Sequence, residues 1–199
     1  AADWRIIRPL MEAGRIPNLK ALLSYGASGN LATLNPPLSP MLWSSIATGK
    51  RPFKHGIHGF SEPDPTTGFI RPISSRSRKV KAFWNILSQE GLRVNVVGWW
   101  PSHPAEAING VMVSNQFHPA TKPISEPWPV LAGAVHPSAM EAPMAELRVH
   151  PGELPPQALR PFVTMAKGEK IEGDPRIQSL AKITAECASI QAMATELIA

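Results

Sequence analysis

Ser39 is the residue of this chain best placed to do chemistry. It stands in the stretch Pro36 to Phe60, PPLSPMLWSSIATGKRPFKHGIHGF, where serine before proline reads as an N-cap followed by proline at the first helical position. The spacing predicts a helix to Thr48 that ends at Gly49, because glycine accepts the left-handed conformation just past a helix C-terminus. Such a start leaves backbone N–H groups unpaired and carries the positive end of the helix dipole, which suits a phosphate or a sulfate. The dipole also favours a developing alkoxide on Ser39, and a bound divalent metal would lower the hydroxyl pKa much further. The plain alternative is that Ser39 only caps its helix, as most N-cap serines do. Leu38, Met41, Leu42, Trp43, Ile46 and Ala47 make the helix nearly apolar, and Ser44, Ser45 and Thr48 are too small to cover a solvent face. The expectation is a buried helix whose N-terminus opens on a cleft.

Histidine offers fewer candidates than its count suggests. His55 and His58 are three apart, His103 lies between Ser102 and Pro104, and His118, His136 and His150 each precede a proline. Histidines scattered before prolines read as loop residues. His55 has the best functional case, as a group that orients the Ser39 site, and His58 has less. Lys54 could steer anions, although a solvated loop lysine accounts for it more simply. The single cysteine, Cys187, excludes an internal disulfide and a cysteine-based metal site, and its place among apolar residues reads as a small core side chain.

The elements that must position Ser39 alternate between helix and strand. Asp3 to Glu12 reads as a helix with Asp3 at its N-cap, and Asn18 to Tyr25 as a second, capped by Asn18 and ended by Gly26. Ser28 to Leu34 reads as a short strand leading to Ser39. Val80 to Glu90 has helical spacing, while Arg93 to Trp99 and Val111 to Ser114 read as strands. This order implies an α/β fold with a mostly parallel sheet flanked by helices and working loops at the carboxyl ends of the strands. From Pro119 to Pro161 prolines recur and no period persists, which reads as an ordered but irregular cap or insertion. After Asp174-Pro175, the residues Ile177, Leu180, Ile183, Cys187, Ile190, Met193 and Leu197 form an amphipathic stripe. The corresponding organisation is residues 1–118 as α/β core, 119–175 as Pro-rich cap, and 176–199 as a helix returning to the core.

Composition bounds the function classes. With 43% hydrophobic and 18% charged residues the chain is globular. The net charge of +5 is scattered except at Arg71 to Lys81, which resembles no nucleic-acid signature, so an anionic small molecule is the expected partner and nucleic acid is not. No run of 18 apolar residues suggests a membrane span, and no signal peptide is visible, which leans toward the cytoplasm while leaving export open.

Several ordered segments together resemble the N-terminal part of the type I phosphodiesterase/nucleotide pyrophosphatase family, within the alkaline phosphatase superfamily. These are the acidic-aromatic opening at Asp3-Trp4, the segment Gly14-Arg15-Ile16-Pro17-Asn18-Leu19, Ser39 ten residues before Gly49, and His55-Gly56-Ile57. Gly91-Leu92-Arg93, Gly98-Trp99-Trp100-Pro101 and Asn109 to Ser114 follow in the same order. The resemblance implies a hydrolase of phosphate esters with two divalent metals, commonly zinc, in which the Ser39 oxygen is a metal ligand and attacks phosphorus to give a covalent phosphoserine. It also implies that the family's first metal-binding Asp would precede Ala1 and its remaining Asp and His ligands would follow Ala199, leaving this chain an incomplete domain without turnover of its own. Asp3 reads more simply as a helix cap than as a substitute ligand. At the position of Phe60 nucleotide-cleaving relatives carry an Asn that donates to phosphate, so the leaving group is left open between phosphodiester or pyrophosphate and phosphomonoester. A sulfatase-like or phosphotransferase relative, and a non-catalytic α/β module in which Ser39 is only a cap, remain as alternatives.

Overall fold

A computed structural model describes residues 3–120, 122–165, 168–171 and 173–198. Contacts divide the chain into two units, Ala1–Thr33 and Leu34–Ala199. In the first, α1 (Trp4–Glu12) is followed by α2 (Pro17–Tyr25). Asp3 caps α1 by accepting the Arg5 N–H at 2.8 Å, and its carboxylate also meets the Arg5 guanidinium at 2.7 Å. These bonds to Arg5 hold the Asp3 carboxyl below its usual pKa. Asn18 caps nothing: Ile16 is the N-cap of α2 and Pro17 its first residue, where a missing N–H costs the helix nothing. No residue of either helix is buried. The strand expected over Ser28–Leu34 does not form, since residues 27–34 carry no regular structure and find no partner for a ladder.

The second unit opens with α3 (Ser39–Thr48) and the single turn α4 (Pro52–His55). A hairpin of β1 (Ser61–Pro63) and β2 (Ile70–Pro72) follows, then α5 (Phe83–Gln89). The central sheet has the order β3 (Val96–Val97), β4 (Met112–Val113), β5 (Val135–His136). The β3–β4 ladder is parallel and the β4–β5 ladder antiparallel. The sheet is therefore mixed rather than mostly parallel. The strand that makes it so lies in the proline-rich stretch, where a two-residue strand is too short to show a period. The expected strand Arg93 to Trp99 shrinks likewise to Val96–Val97.

Alternation along the strands gives the sheet two apolar faces. Val96 and Met112 pack with Ala47 of α3, Ala82, Trp84 of α5 and Ile108. Val113 and Val135 pack on the other side with Val111, Phe117, Ala134, Met144 of α6 (Glu141–Glu146) and Met193 of α8 (Pro175–Glu196). A third cluster joins Leu159 of α7 (Pro156–Leu159) to Ile177 and Ala181. Arg148 ties the proline-rich stretch down: its guanidinium lies 4.0 Å from the Trp128 ring and 5.2 Å from that of Phe117, and it donates to the carbonyls of both residues.

The packed face of α8 differs from the stripe of large residues expected. It runs through Ile177, Ala181, Ala185, Ser189 and Met193, while Ile183 is exposed and Cys187 lies at the surface rather than in the core. Small residues win this face because they let the helix backbone approach closely. Ser189 completes the contact by donating to the Ala185 carbonyl at 2.8 Å and accepting the Val149 N–H at 2.8 Å. Among the described residues no helix is long and apolar enough to cross a membrane.

Candidate active site

Ser39 is the first residue of α3, not its cap. Leu38 occupies the N-cap position and Pro40 the second helical position, and no side chain caps the helix. The Ser39 hydroxyl is exposed and has no hydrogen-bond partner among the described residues. The first backbone bond of the helix is Leu42 N–H to Leu38 carbonyl at 3.1 Å. Ahead of it, Pro40 has no N–H, and those of Ser39 and Met41 find no backbone acceptor, so the hydroxyl sits beside unpaired donors at the positive end of a ten-residue helix.

The helix is half-buried rather than buried. Pro40, Met41, Ser44 and Ala47 face the core, whereas Ser39, Trp43 and Ile46 form an exposed stripe at spacings of four and three. Trp43, 45% exposed, rests edge-on against Trp99 with ring centroids 5.3 Å apart. Gly49 ends the helix at φ 64°, the left-handed cap its sequence position called for, and bonds to the Ser45 carbonyl.

His55 is fully buried. Its Nδ1 accepts the Ile57 N–H at 3.1 Å, which places the ring proton on Nε2, 3.1 Å from Ser45 Oγ on α3. The ring therefore pins α4 to the helix that carries Ser39 without touching Ser39 itself. Burial pushes its pKa below the ordinary histidine value; the nearby charges of His58 and Arg78 act in the same direction, and a bond to the Met41 carbonyl opposes them. A base with a depressed pKa is held neutral, so the unfolded chain binds the proton more readily. The contribution of His55 to stability is complete above about pH 6.5 and is lost as pH falls below that value toward its folded pKa. His55→Ala is expected to lower stability by about 1–3 kcal/mol at pH 8, since it strands the Ile57 N–H and opens a void. Denaturant titrations at pH 8 and pH 5.5 check this: the gap between wild type and variant should narrow at pH 5.5, and a gap that widens would refute the assignment.

His58 and Lys54 are exposed, and Phe60 is 58% exposed with its ring 5.6 Å from that of Trp100. Sequence reasoning missed Trp99 and Trp100 as neighbours of this region. Their signal was an aromatic pair directly after a valine-rich strand, at the carboxyl end where α/β sheets place their working loops. Among the described residues no group of three or more His, Cys, Asp or Glu side chains is arranged to hold a metal, and Asp3 is engaged by Arg5.

A family model for type I phosphodiesterase / nucleotide pyrophosphatase matches residues 2–172 of the 199. The chain belongs to the type I phosphodiesterase/nucleotide pyrophosphatase family. No curated protein and no solved structure matches it. Membership points to a hydrolase of the phosphodiesterase/pyrophosphatase type, and the matched span contains Ser39, His55, Phe60 and the whole central sheet.

Proposed function

We propose that this chain carries the nucleophile of a phosphate-ester hydrolase, with Ser39 as the attacking residue and His55 as the group that positions its helix. The observation that carries the reading is the free Ser39 hydroxyl, exposed and uncapped in the first turn of α3, in a chain of a hydrolase family. Ser39 Oγ bonds to phosphorus as the ester P–O bond breaks, the hydroxyl proton passes through water to the leaving oxygen so that the alcohol departs, and a second water then cleaves the phosphoserine, releasing phosphate or its remaining monoester and restoring the Ser39 hydroxyl. Divalent metals, commonly zinc in this family, would lower the pKa of the hydroxyl and neutralise phosphoryl charge when bound. Apart from the Ser39 oxygen, the described residues do not fit them.

The test is turnover by the full gene product, supplied in turn with zinc, manganese and magnesium, on bis(p-nitrophenyl) phosphate, p-nitrophenyl phosphate and p-nitrophenyl sulfate. Hydrolysis of at least one phosphate ester is expected, and the ratio of the two phosphates assigns diester or monoester preference. Hydrolysis of the sulfate alone would move the protein to the sulfatase-like reading, and no turnover with any metal would leave a non-catalytic module.

A further inference from the structure

We infer that a groove between α8 and the proline-rich stretch is a second binding site, one that takes a small hydroxy carboxylate with its hydroxyl on His118 and its carboxylate on Lys182. Two adjoining cavities make the groove. The inner one, of about 160 Å³, is lined by His118 and Glu186, and the outer one, of about 500 Å³, by Lys122 and His150. Ala120, Pro151 and Lys182 line both, which sets the two side by side. The inner cavity holds a buried acceptor with nothing to accept. The His118 side chain is only 1% exposed. Its Nε2 stands 2.8 Å from Glu186 Oε1, and a carboxylate can only accept, so in the neutral ring Nε2 carries the proton and Nδ1 is a lone pair. That Nδ1 is buried and has no partner. The other two buried histidines are satisfied at the same atom: His55 Nδ1 accepts the Ile57 N–H at 3.1 Å and His150 Nδ1 the Gly152 N–H at 3.0 Å. A buried acceptor left unpaired costs free energy that an arriving donor restores, and a hydroxyl is a donor small enough for the inner cavity.

Charge selects the rest of the ligand. Lys182 stands one helical turn before Glu186 on α8, a spacing at which the two could pair. Glu186 turns to His118 instead, and Lys182 has no ion-pair partner among the described residues. Lys122, on the other wall, is already answered by Glu126 at 3.3 Å. The groove thus presents one unanswered ammonium beside one carboxylate. A monoanion suits that balance, whereas a phosphate monoester would set a second negative charge against Glu186. A ligand that joins a hydroxyl to a single carboxylate satisfies both His118 and Lys182, and the class is therefore hydroxy carboxylates.

The experiment measures binding, not turnover: the 199-residue chain, isotope-labelled at histidine, is titrated with glycerate, propionate, glycerol and glycerol phosphate while the assigned imidazole nitrogen resonances are followed. Without ligand His118 should show the Nε2–H tautomer with Nδ1 at the position of a free lone pair. Glycerate should shift that Nδ1 in the direction of an accepted hydrogen bond and leave His55 and His150 in place. It is expected to bind at least about tenfold tighter than propionate, which lacks the hydroxyl, or glycerol, which lacks the charge, the scale of one hydrogen bond to a buried or charged partner. Lys182→Ala, at an exposed position, should remove about tenfold of the glycerate affinity, and Lys182→Arg should retain most of it. Ser39→Ala should bind glycerate as wild type does, which separates the groove from the phosphate-ester site. Equal affinity for glycerate and propionate, tighter binding of glycerol phosphate than of glycerate, no binding of glycerate, an unmoved His118 Nδ1 or an unaffected Lys182→Ala variant would overturn the assignment.

Discussion

Ser39→Ala is expected to lower kcat of the metal-supplied full gene product at least about 10³-fold, the scale on which covalent nucleophiles act. Its KM should change little, because the hydroxyl contributes to bond making and not to holding the ester. The structure separates this outcome from a structural one. A capping serine bonds to the helix backbone, and its loss costs about 0.5–2 kcal/mol. Ser39 makes no such bond, is exposed, and stands at the first helical position, where alanine is well tolerated. The variant should therefore match wild type in denaturant midpoint to within about 0.5 kcal/mol while losing turnover. Ser39→Thr, which retains a hydroxyl, should keep part of the rate. Wild-type turnover in Ser39→Ala, or a stability loss of cap size, would sink the assignment.

The parts of this arrangement that were legible in the sequence are those decided locally. Asp3 caps its helix by accepting the N–H two residues on, and Gly49 closes α3 in the left-handed conformation. Proline within the first two positions of α3 marked the helix start to within a residue, although the shift of one turned Ser39 from a cap into an uncapped hydroxyl. What was not legible depends on partners distant in the chain. Ser28 to Leu34 has strand-like residues but no strand to pair with, while Val135-His136, hidden among prolines, acquires one in β4. On α8 the expected stripe is buried at Ile177 and Met193 and packs at Leu180 and Leu197, but between its ends the buried face runs through Ala181, Ala185 and Ser189, whose small side chains permit close approach. His55 was visible as a candidate in the element His55-Gly56-Ile57, but its role in pinning α3 depends on Ser45 and on burial that only the folded chain defines.

Arg78→Ala is expected to destabilise the protein by about 3 kcal/mol, the largest stability loss outside the apolar core. Arg78 is nearly inaccessible, with its side chain 5% exposed, and reaches Glu106 at 2.6 and 2.8 Å. It also donates to the Val80 carbonyl and to Asn85 Oδ1, and its guanidinium stands 5.2 Å from the Trp84 ring. Trp84, fully buried, donates its Nε1–H to the same Glu106 at 2.8 Å. Breaking a buried pair by removing one partner strands the other charge, which costs about 3–5 kcal/mol; Glu106 retains some access to water, which sets the estimate at the low end. Glu106→Gln keeps an acceptor for Trp84 and should cost about 1–2 kcal/mol. In the double variant Arg78→Ala/Glu106→Gln no charge is stranded, so its loss should be smaller than the two single losses added, with a coupling of about 1–3 kcal/mol. The consequence reaches the candidate site, because Trp84 packs in one cluster with Ala47 of α3 and touches the Trp99 ring that braces Trp43. Arg78→Ala should accordingly weaken the near-ultraviolet tryptophan signal and lower turnover before it unfolds the chain. Additive losses in the cycle, or an Arg78→Ala variant as stable as wild type, would show that α5 and the Ser39 helix are held without this pair.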